Sequence, residues 1–127
     1  MARLVDSQKS AAADAFFDNA SPLLIAPAIF AFEIRNALVR AERRGITKSN
    51  IVDQAFLELS DLVVCRPWSD RAADFARQIA LARKENLLLF DAAYLDLAIE
   101  EGAPLASRDA SLLAAAQNRG VPVHDLR

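Results

Sequence analysis

The chain has 127 residues and a mass of 13.9 kDa, the size of one domain, and its 54% hydrophobic and 25% charged residues are typical of a globular protein. A formal net charge of −2 does not indicate a nucleic-acid-binding protein, and no apolar stretch approaches the roughly 18 residues of a membrane span. One histidine and one cysteine exclude an internal disulfide, a cysteine metal site and a two-histidine zinc site, which leaves carboxylates as the main chemical resource.

Short apolar runs alternate along the chain with longer amphipathic segments, and each of the three glycines marks a helix end. The predicted helices span residues 10–19, 28–44, 47–59, 69–86, 91–101 and 109–119, with Thr47, Ser69, Asp91 and Asp109 at their starts. The predicted strands span residues 23–26, 62–65, 104–106 and 121–123, and residues 87–90 are ambiguous between strand and loop. Strands separated by helices predict a single α/β domain over residues 1–127, a three-layer α/β/α sandwich with a central parallel sheet.

Glu33 is the most informative single residue, because its neighbours one helical turn away include Phe30 and Ala37. An ionised carboxylate on such an apolar face is costly unless it is paired or binds a metal ion. Two explanations are equally good: a structural salt bridge to an arginine such as Arg35, and a functional role. Asn36 is the only polar side chain on the same stripe.

Two aspartates stand where predicted helices begin. Asp91 follows the apolar run at 87–90, and Asp109 follows the strand at 104–106. Each alone is best explained as an N-cap, because aspartate is a preferred N-cap residue. Together with Glu33 they are candidates for one acidic pocket beyond the carboxyl ends of the parallel strands. Crowded carboxylates repel one another, so such a pocket needs a cation, and oxygen ligands select Mg²⁺ or Mn²⁺.

Asp6 is a fourth candidate ligand, because it ends the apolar pair Leu4-Val5. In one interpretation this segment is a first strand that delivers the Asp6 carboxylate to the same pocket. In the other it is an N-terminal tail in which Asp6 or Ser7 caps the first helix. The residues alone favour neither interpretation.

Four further residues carry weaker signals. His124 is predicted to be structural or exposed rather than catalytic, and Cys65 to be a buried small apolar residue. Asp96 lies five positions after Asp91, so the two do not share a helix face well, and Asp96 is predicted to be solvated. Tyr94 is expected either to line the pocket or to pack in the core.

Three local patterns follow one another along the chain. They are Pro27-x5-Glu33-x2-Asn36-Ala37-Leu38, Phe90-Asp91-Ala92-Ala93-Tyr94-Leu95-Asp96-Leu97-Ala98, and Gly102-x-Pro104-Leu105-Ala106-Ser107-Arg108-Asp109-x2-Leu112 followed by Gly120-Val121-x-Val123. Glu33 and Asp91 are 58 positions apart, and Asp91 and Asp109 are 18 apart. In this order and spacing, from about Pro22 to His124, the sequence resembles the PIN-domain ribonucleases, in particular the VapC toxins of bacterial toxin–antitoxin pairs.

The resemblance implies a PIN-like fold and an acidic metal site. It assigns Glu33, Asp91 and Asp109 to a site for Mg²⁺ (or Mn²⁺), with Asp6 as the only residue that resembles the family's aspartate at the end of the first strand. Ser107 matches a position where the family has a small hydroxyl residue, which is expected to hydrogen-bond a site carboxylate.

The N-terminal part departs from the family pattern. Asp6 precedes Glu33 by only 27 residues, a short interval for this family. We therefore expect a first strand that is short or missing, either because the chain starts downstream of the true first strand or because an intervening helix is shortened. Without Asp6 as a ligand, both metal binding and the stability of the monomer would be weakened.

The activity that the resemblance implies is metal-assisted hydrolysis of an RNA phosphodiester by the toxin of a toxin–antitoxin pair. Asn36 is expected either to orient Glu33 or to contact the phosphate, and the candidate RNA contacts are Arg35, Arg40, Arg43 and Arg108. The cluster of Arg40, Arg43 and Arg44 is by itself best explained as a solvated helix face. The implied partners are RNA, a small antitoxin protein and a second copy in a homodimer, in a reducing cytoplasm and without a membrane. The RNA target, the antitoxin and the dimer interface are not specified by the sequence.

Two other functions remain as alternatives. A cleavage-incompetent PIN-like module that binds an antitoxin or RNA would explain the short N-terminal part. A phosphoacceptor receiver domain shares the α/β class, but it requires paired acidic residues after the first strand and a lysine near the last one. Neither feature is present in the sequence.

Overall fold

The computed structural model describes residues 24–67 and 69–127. This part of the chain contains five α-helices and four β-strands, and the chain divides into two compact units, Met1–Arg66 and Pro67–Arg127. The predicted strand ending at Asp6 and the predicted helix at 10–19 lie outside the described residues. None of the helices in the described part is long and apolar enough to cross a membrane.

The described part of the first unit is a β-α-α-β segment. It consists of β1 (Leu24–Ala26), α1 (Ile29–Arg43), α2 (Ser49–Leu62) and β2 (Val63–Cys65). The two strands are parallel, with Ile25 opposite Val64. Parallel strands need a long connection, and here the two helices supply it. The helices pack through a core of buried side chains that comprises Leu38, Val52, Ala55 and Leu59.

The second unit is an α-α-β-α-β segment. It consists of α3 (Ala72–Glu85), α4 (Leu89–Glu101), β3 (Leu105–Ser107), α5 (Ala110–Asn118) and β4 (Val123–Asp125). β3 and β4 are parallel, with Ala106 opposite His124. The core of this unit comprises Leu81, Leu95, Ala98, Leu105, Leu112, Leu113, Ala115, Ala116 and Val121.

The predicted α/β class and the parallel pairing are confirmed. The described strands pair two by two, β1 with β2 and β3 with β4, rather than in one continuous ladder. Each described strand has only three residues, and most of the buried side chains in residues 24–67 and 69–127 lie on helices.

The predicted helix ends at glycine are confirmed, and they explain where the last strand begins. Gly120 has φ of +71°, its N–H donates to the carbonyl of Gln117, and the N–H of Val121 donates to the carbonyl of Ala116 at 2.9 Å. These two bonds form a Schellman motif, so the N–H of Val121 is used to cap the end of α5. The last strand therefore begins at Val123, two residues later than predicted.

Two predicted N-caps are wrong. The N-cap of α2 is Lys48 rather than Thr47, and the N-cap of α3 is Arg71 rather than Ser69, and neither N-cap side chain makes a capping hydrogen bond. The Ser69 hydroxyl still reaches the first turn of α3, because it donates to Oδ2 of Asp74 at 2.6 Å. The predicted helices begin at 47 and 69, whereas the observed helices begin at Ser49 and Ala72. Side-chain preference alone therefore placed the first residues of these helices two and three positions too early.

Candidate functional site

Asp109 caps α5, as predicted, and is exposed at the turn that follows β3. Its backbone is extended, and its Oδ1 accepts a hydrogen bond of 2.8 Å from the N–H of Leu112. Leu112 and Leu113 are buried in the core of the second unit, so the first turn of α5 is fixed in place. Among the described residues, no hydrogen bond engages Oδ2 of Asp109, which leaves this oxygen available to a ligand.

Ser107 contacts Asp109 through the backbone. The Ser107 Oγ accepts a hydrogen bond of 3.0 Å from the N–H of Asp109. A hydroxyl that accepts one bond keeps its own hydrogen for donation, so Ser107 can still serve a carboxylate in the way that the family resemblance implies. The observed bond fixes the turn from which the Asp109 side chain projects.

Asp91 lies in the first turn of α4 but does not open the helix. The N-cap is Leu88, which has an extended backbone and whose carbonyl accepts from the N–H of Ala92 at 3.0 Å. The predicted start at Asp91 is therefore two residues too late, because Leu89 and Phe90 belong to the helix. Asp91 is half-buried, and a carboxylate in the first turn is stabilised by the helix dipole.

Glu33 is exposed on α1, so its predicted placement on an apolar face is wrong. The buried stripe of α1 is formed by Ala37, Leu38 and Ala41, and Glu33 lies at the border of that stripe. Arg35, the considered salt-bridge partner, donates to the carbonyl of Ala31 at 2.8 Å and lies over the ring of Phe56.

The polar residues near Glu33 share the exposed side of α1. Asn36 lies one turn further on, and Arg40 and Arg43 follow in the last turn of the helix, all of them exposed. This agrees with the interpretation of the arginine cluster as a solvated face. Arg108, the remaining candidate RNA contact, is exposed beside Asp109 in the second unit.

Asp96 is buried, so its predicted solvation is wrong. Its side chain accepts two hydrogen bonds from Arg77 on α3, from Nε at 2.8 Å and from Nη2 at 2.9 Å, and a weaker one from Gln78 at 3.4 Å. Arg77 also pairs with Asp74 at 3.0 Å. The hydrogen bonds to Asp96, and then those to Asp74, raise the pKa of Arg77.

The hydrogen bonds of Asp96 join α3 to α4, and the sequence patterns did not predict them. The signal was present, because Asp96 lies between Leu95 and Leu97 near the middle of a helix that is rich in apolar residues. A carboxylate that is buried among apolar side chains requires a partner. The partner is 19 positions away in sequence, and only tertiary packing identifies it.

Three weaker predictions have clear outcomes. Tyr94 is half-buried and packs against the core of the second unit, which agrees with one of its two predicted roles. His124 is exposed in β4, as predicted, and Cys65 is half-buried in β2 rather than fully buried.

The structure brings Ser107 and Asp109 into direct contact and places Asp91 in the same unit, whereas Glu33 and Asn36 belong to the first unit. Over residues 24–67 and 69–127, no three acidic, histidine or cysteine side chains form a group able to hold a metal ion. The donor chemistry of Asp91 and Asp109 nevertheless fits a hard cation, because both are carboxylates and Mg²⁺ keeps several of its waters.

Comparison with known families identifies the class of protein. The PIN domain model matches residues 2–118, a segment that includes Asp6, Glu33, Asp91 and Asp109. The chain therefore belongs to the PIN domain family. A search of curated proteins finds no match to it. The PIN domain is a nuclease-type fold whose members are generally metal-dependent nucleases and typically use divalent metals.

Proposed function

We propose that the chain is a metal-dependent endoribonuclease, the VapC-type toxin of a toxin–antitoxin pair. The observation that carries the proposal is the family match, because residues 2–118 include all four acidic candidates. Support also comes from Asp109, whose capped turn presents one carboxylate oxygen without a partner among the described residues.

In this proposal Asp91, Asp109 and Glu33 supply the carboxylates of the metal site, with Asp6 as a fourth. A bound divalent cation would lower the pKa of a water molecule and stabilise charge on the scissile phosphate. Asp91 gains from the dipole of α4, and Asp109 is oriented by Ser107 and Leu112. Asn36, on the same side of α1 as Glu33, orients that carboxylate or contacts the phosphate.

The proposed partners follow from the same assignment. RNA is the substrate, an antitoxin protein is the inhibitor, and a second copy completes a homodimer in the cytoplasm. We propose Arg40, Arg43 and Arg108 as phosphate contacts, because their side chains are exposed and cationic, and Arg35 as a further one.

The test is RNA cleavage with Mg²⁺ or Mn²⁺ by Asp91→Asn and Asp109→Asn. We expect each variant to lose more than about a hundredfold in rate, because even outer-shell residues of metal sites cost 10–100-fold when changed. Asp70→Asn, an exposed aspartate in the loop before α3, is the matched control and should cleave like the wild type. Undiminished cleavage by Asp91→Asn or Asp109→Asn would exclude these residues from the site.

A cleavage-incompetent module that binds RNA or an antitoxin is the second candidate. The observation in its favour is the interval of only 27 residues between Asp6 and Glu33, which is short for this family. A folded wild-type chain that binds RNA, shows no metal-dependent cleavage and gains none when extended upstream would establish this function in place of the first.

A further inference from the structure

Leu126 is hydrogen-bonded to Ser107, just before the turn that carries Asp109. The N–H of Leu126 donates to the carbonyl of Ser107 at 2.8 Å, which continues the parallel pairing of β3 and β4 by one further bond. The Leu126 side chain is only 8% exposed. The backbone at residue 126 is therefore anchored at the end of β3, two residues before Asp109.

Ser107 is hydrogen-bonded to both Leu126 and Asp109. The same residue whose carbonyl accepts from Leu126 uses its hydroxyl oxygen to accept from the N–H of Asp109 at 3.0 Å. Asp109 is then held from the other side, because its Oδ1 accepts from Leu112 and its carbonyl accepts from Leu113 at 3.0 Å. Two hydrogen bonds that share Ser107 thus connect the N–H of Leu126 with the backbone N–H of Asp109, the residue whose carboxylate is the proposed ligand.

We propose that Leu126 is a positioning residue for Asp109 and acts through its backbone N–H and Ser107. The proposal rests on the function proposed above, in which Asp109 is a metal ligand. Leu126 lies beyond the segment 2–118 that matches the family, and its side chain carries no chemistry that would suggest a role at the site. The role follows from the position of its N–H in the ladder.

A structural role of Leu126 and a positioning role predict different properties for a folded variant. If β4 only adds stability, weakening it lowers the melting temperature and leaves the properties of the folded site unchanged. If it positions Asp109, the folded variant itself has a loosened turn and a weaker metal site. Residues that orient metal ligands typically cost 10–100-fold in metal affinity or activity when changed, so we expect a loss of about tenfold or more.

The first experiment compares Leu126→Pro, which lacks the N–H, with Leu126→Ala, which keeps it but loses the buried side chain. In Leu126→Pro we expect amide hydrogen exchange at Asp109 to rise about tenfold, measured against the core amide of Leu95. We expect Mn²⁺ affinity to fall about tenfold and kcat to fall with KM little changed. Leu126→Ala should lower only the melting temperature. Exchange at Asp109 and Mn²⁺ affinity within twofold of the wild type in Leu126→Pro would overturn the proposal.

A second pair of variants keeps the proposal testable if Leu126→Pro does not fold. Ser107→Ala removes the oxygen that accepts from the N–H of Asp109, whereas Ser107→Thr retains it. We expect Ser107→Ala to show the same loss and Ser107→Thr to restore Mn²⁺ affinity and exchange protection. Equal behaviour of the two variants would overturn the proposal. If the wild type neither binds Mn²⁺ nor cleaves RNA, the proposed function fails, while the exchange measurement still shows whether the turn is held from residue 126.

Discussion

At the scale of single residues, the buried carboxylate of Asp96 links α4 to Arg77 and Gln78 of α3. Its side chain is 8% exposed, whereas that of Arg77 is 49% exposed. Removing Asp96 leaves a half-exposed guanidinium, which water can solvate. Removing Arg77 leaves a buried carboxylate, which water cannot solvate.

We predict that Arg77→Ala destabilises the protein more than Asp96→Asn. Arg77→Ala leaves the buried carboxylate with only Gln78, which should cost about 2–4 kcal/mol, below the range for a fully buried pair because water reaches this one. Asp96→Asn removes the charge together with the pair and should cost about 1–2 kcal/mol. Urea unfolding measures both free energies.

The control for this comparison is Arg127→Ala, which breaks the exposed ion pair with Asp125 and should cost less than either substitution. If Asp96→Asn proves as costly as Arg77→Ala, or more so, the burial of Asp96 does not determine the energetics of the pair.

At the scale of elements, a second ion pair joins the ends of two helices. Glu85, the last residue of α3, accepts from Nε of Arg119, the C-cap of α5, at 2.7 Å. The hydrogen bond from Arg119, and then that from Asn118, lowers the pKa of Glu85. The pKa of Asp74 is lowered by Ser69 and Arg77, and Arg127 lowers the pKa of Asp125 to about 2.

We predict that the protein loses stability on acidification. Because the carboxyl pKa values of Glu85, Asp74 and Asp125 are lowered by folding, the unfolded chain binds protons first as the pH falls. The contribution of these groups is therefore complete above about pH 5 and declines as the pH falls through their folded values toward 2. Urea unfolding at pH 6 and pH 3 measures the loss.

Glu85→Gln is the matched variant for the pH series, because it removes one of the three titrating groups. Its stability should depend less on pH than that of the wild type. If the free energy of unfolding of the wild type rises as the pH is lowered from 5 to 3, the assignment of these ion pairs is wrong.

The local elements could be predicted from the sequence more fully than their contacts. Asp109 as an N-cap and Gly120 as a helix end are determined within four residues, so they were predicted correctly. The burial of Asp96 depends on Arg77 from another helix, and no local pattern contains that information. Glu33 was misplaced because a residue at the border of an apolar stripe can fall on either side of it.

At the scale of the whole molecule, the length predicts one domain, and we propose that the chain unfolds as one. Among the residues that the structure describes, the two largest fully buried side chains lie in different cores, Leu38 in the first unit and Leu95 in the second. The family match extends across both units, which supports a single domain.

We predict a single cooperative transition in which Leu38→Ala and Leu95→Ala shift the same midpoint. Each substitution should cost about 2–4 kcal/mol, because it leaves a cavity in a packed core. Calorimetry and circular dichroism give the midpoints. Two separate transitions, with each variant shifting only one of them, would show that the units fold independently.

The parallel pairing of the short strands also imposes an order of assembly. β1 and β2 enclose the 36 residues at 27–62, whereas β3 and β4 enclose only the 15 residues at 108–122. Closing the longer loop costs about 0.8 kcal/mol more in chain entropy, and non-local pairings form late. Contact between β3 and β4 should therefore come first during refolding, so that the turn bearing Asp109 matures before the strand pair that flanks α1 and α2.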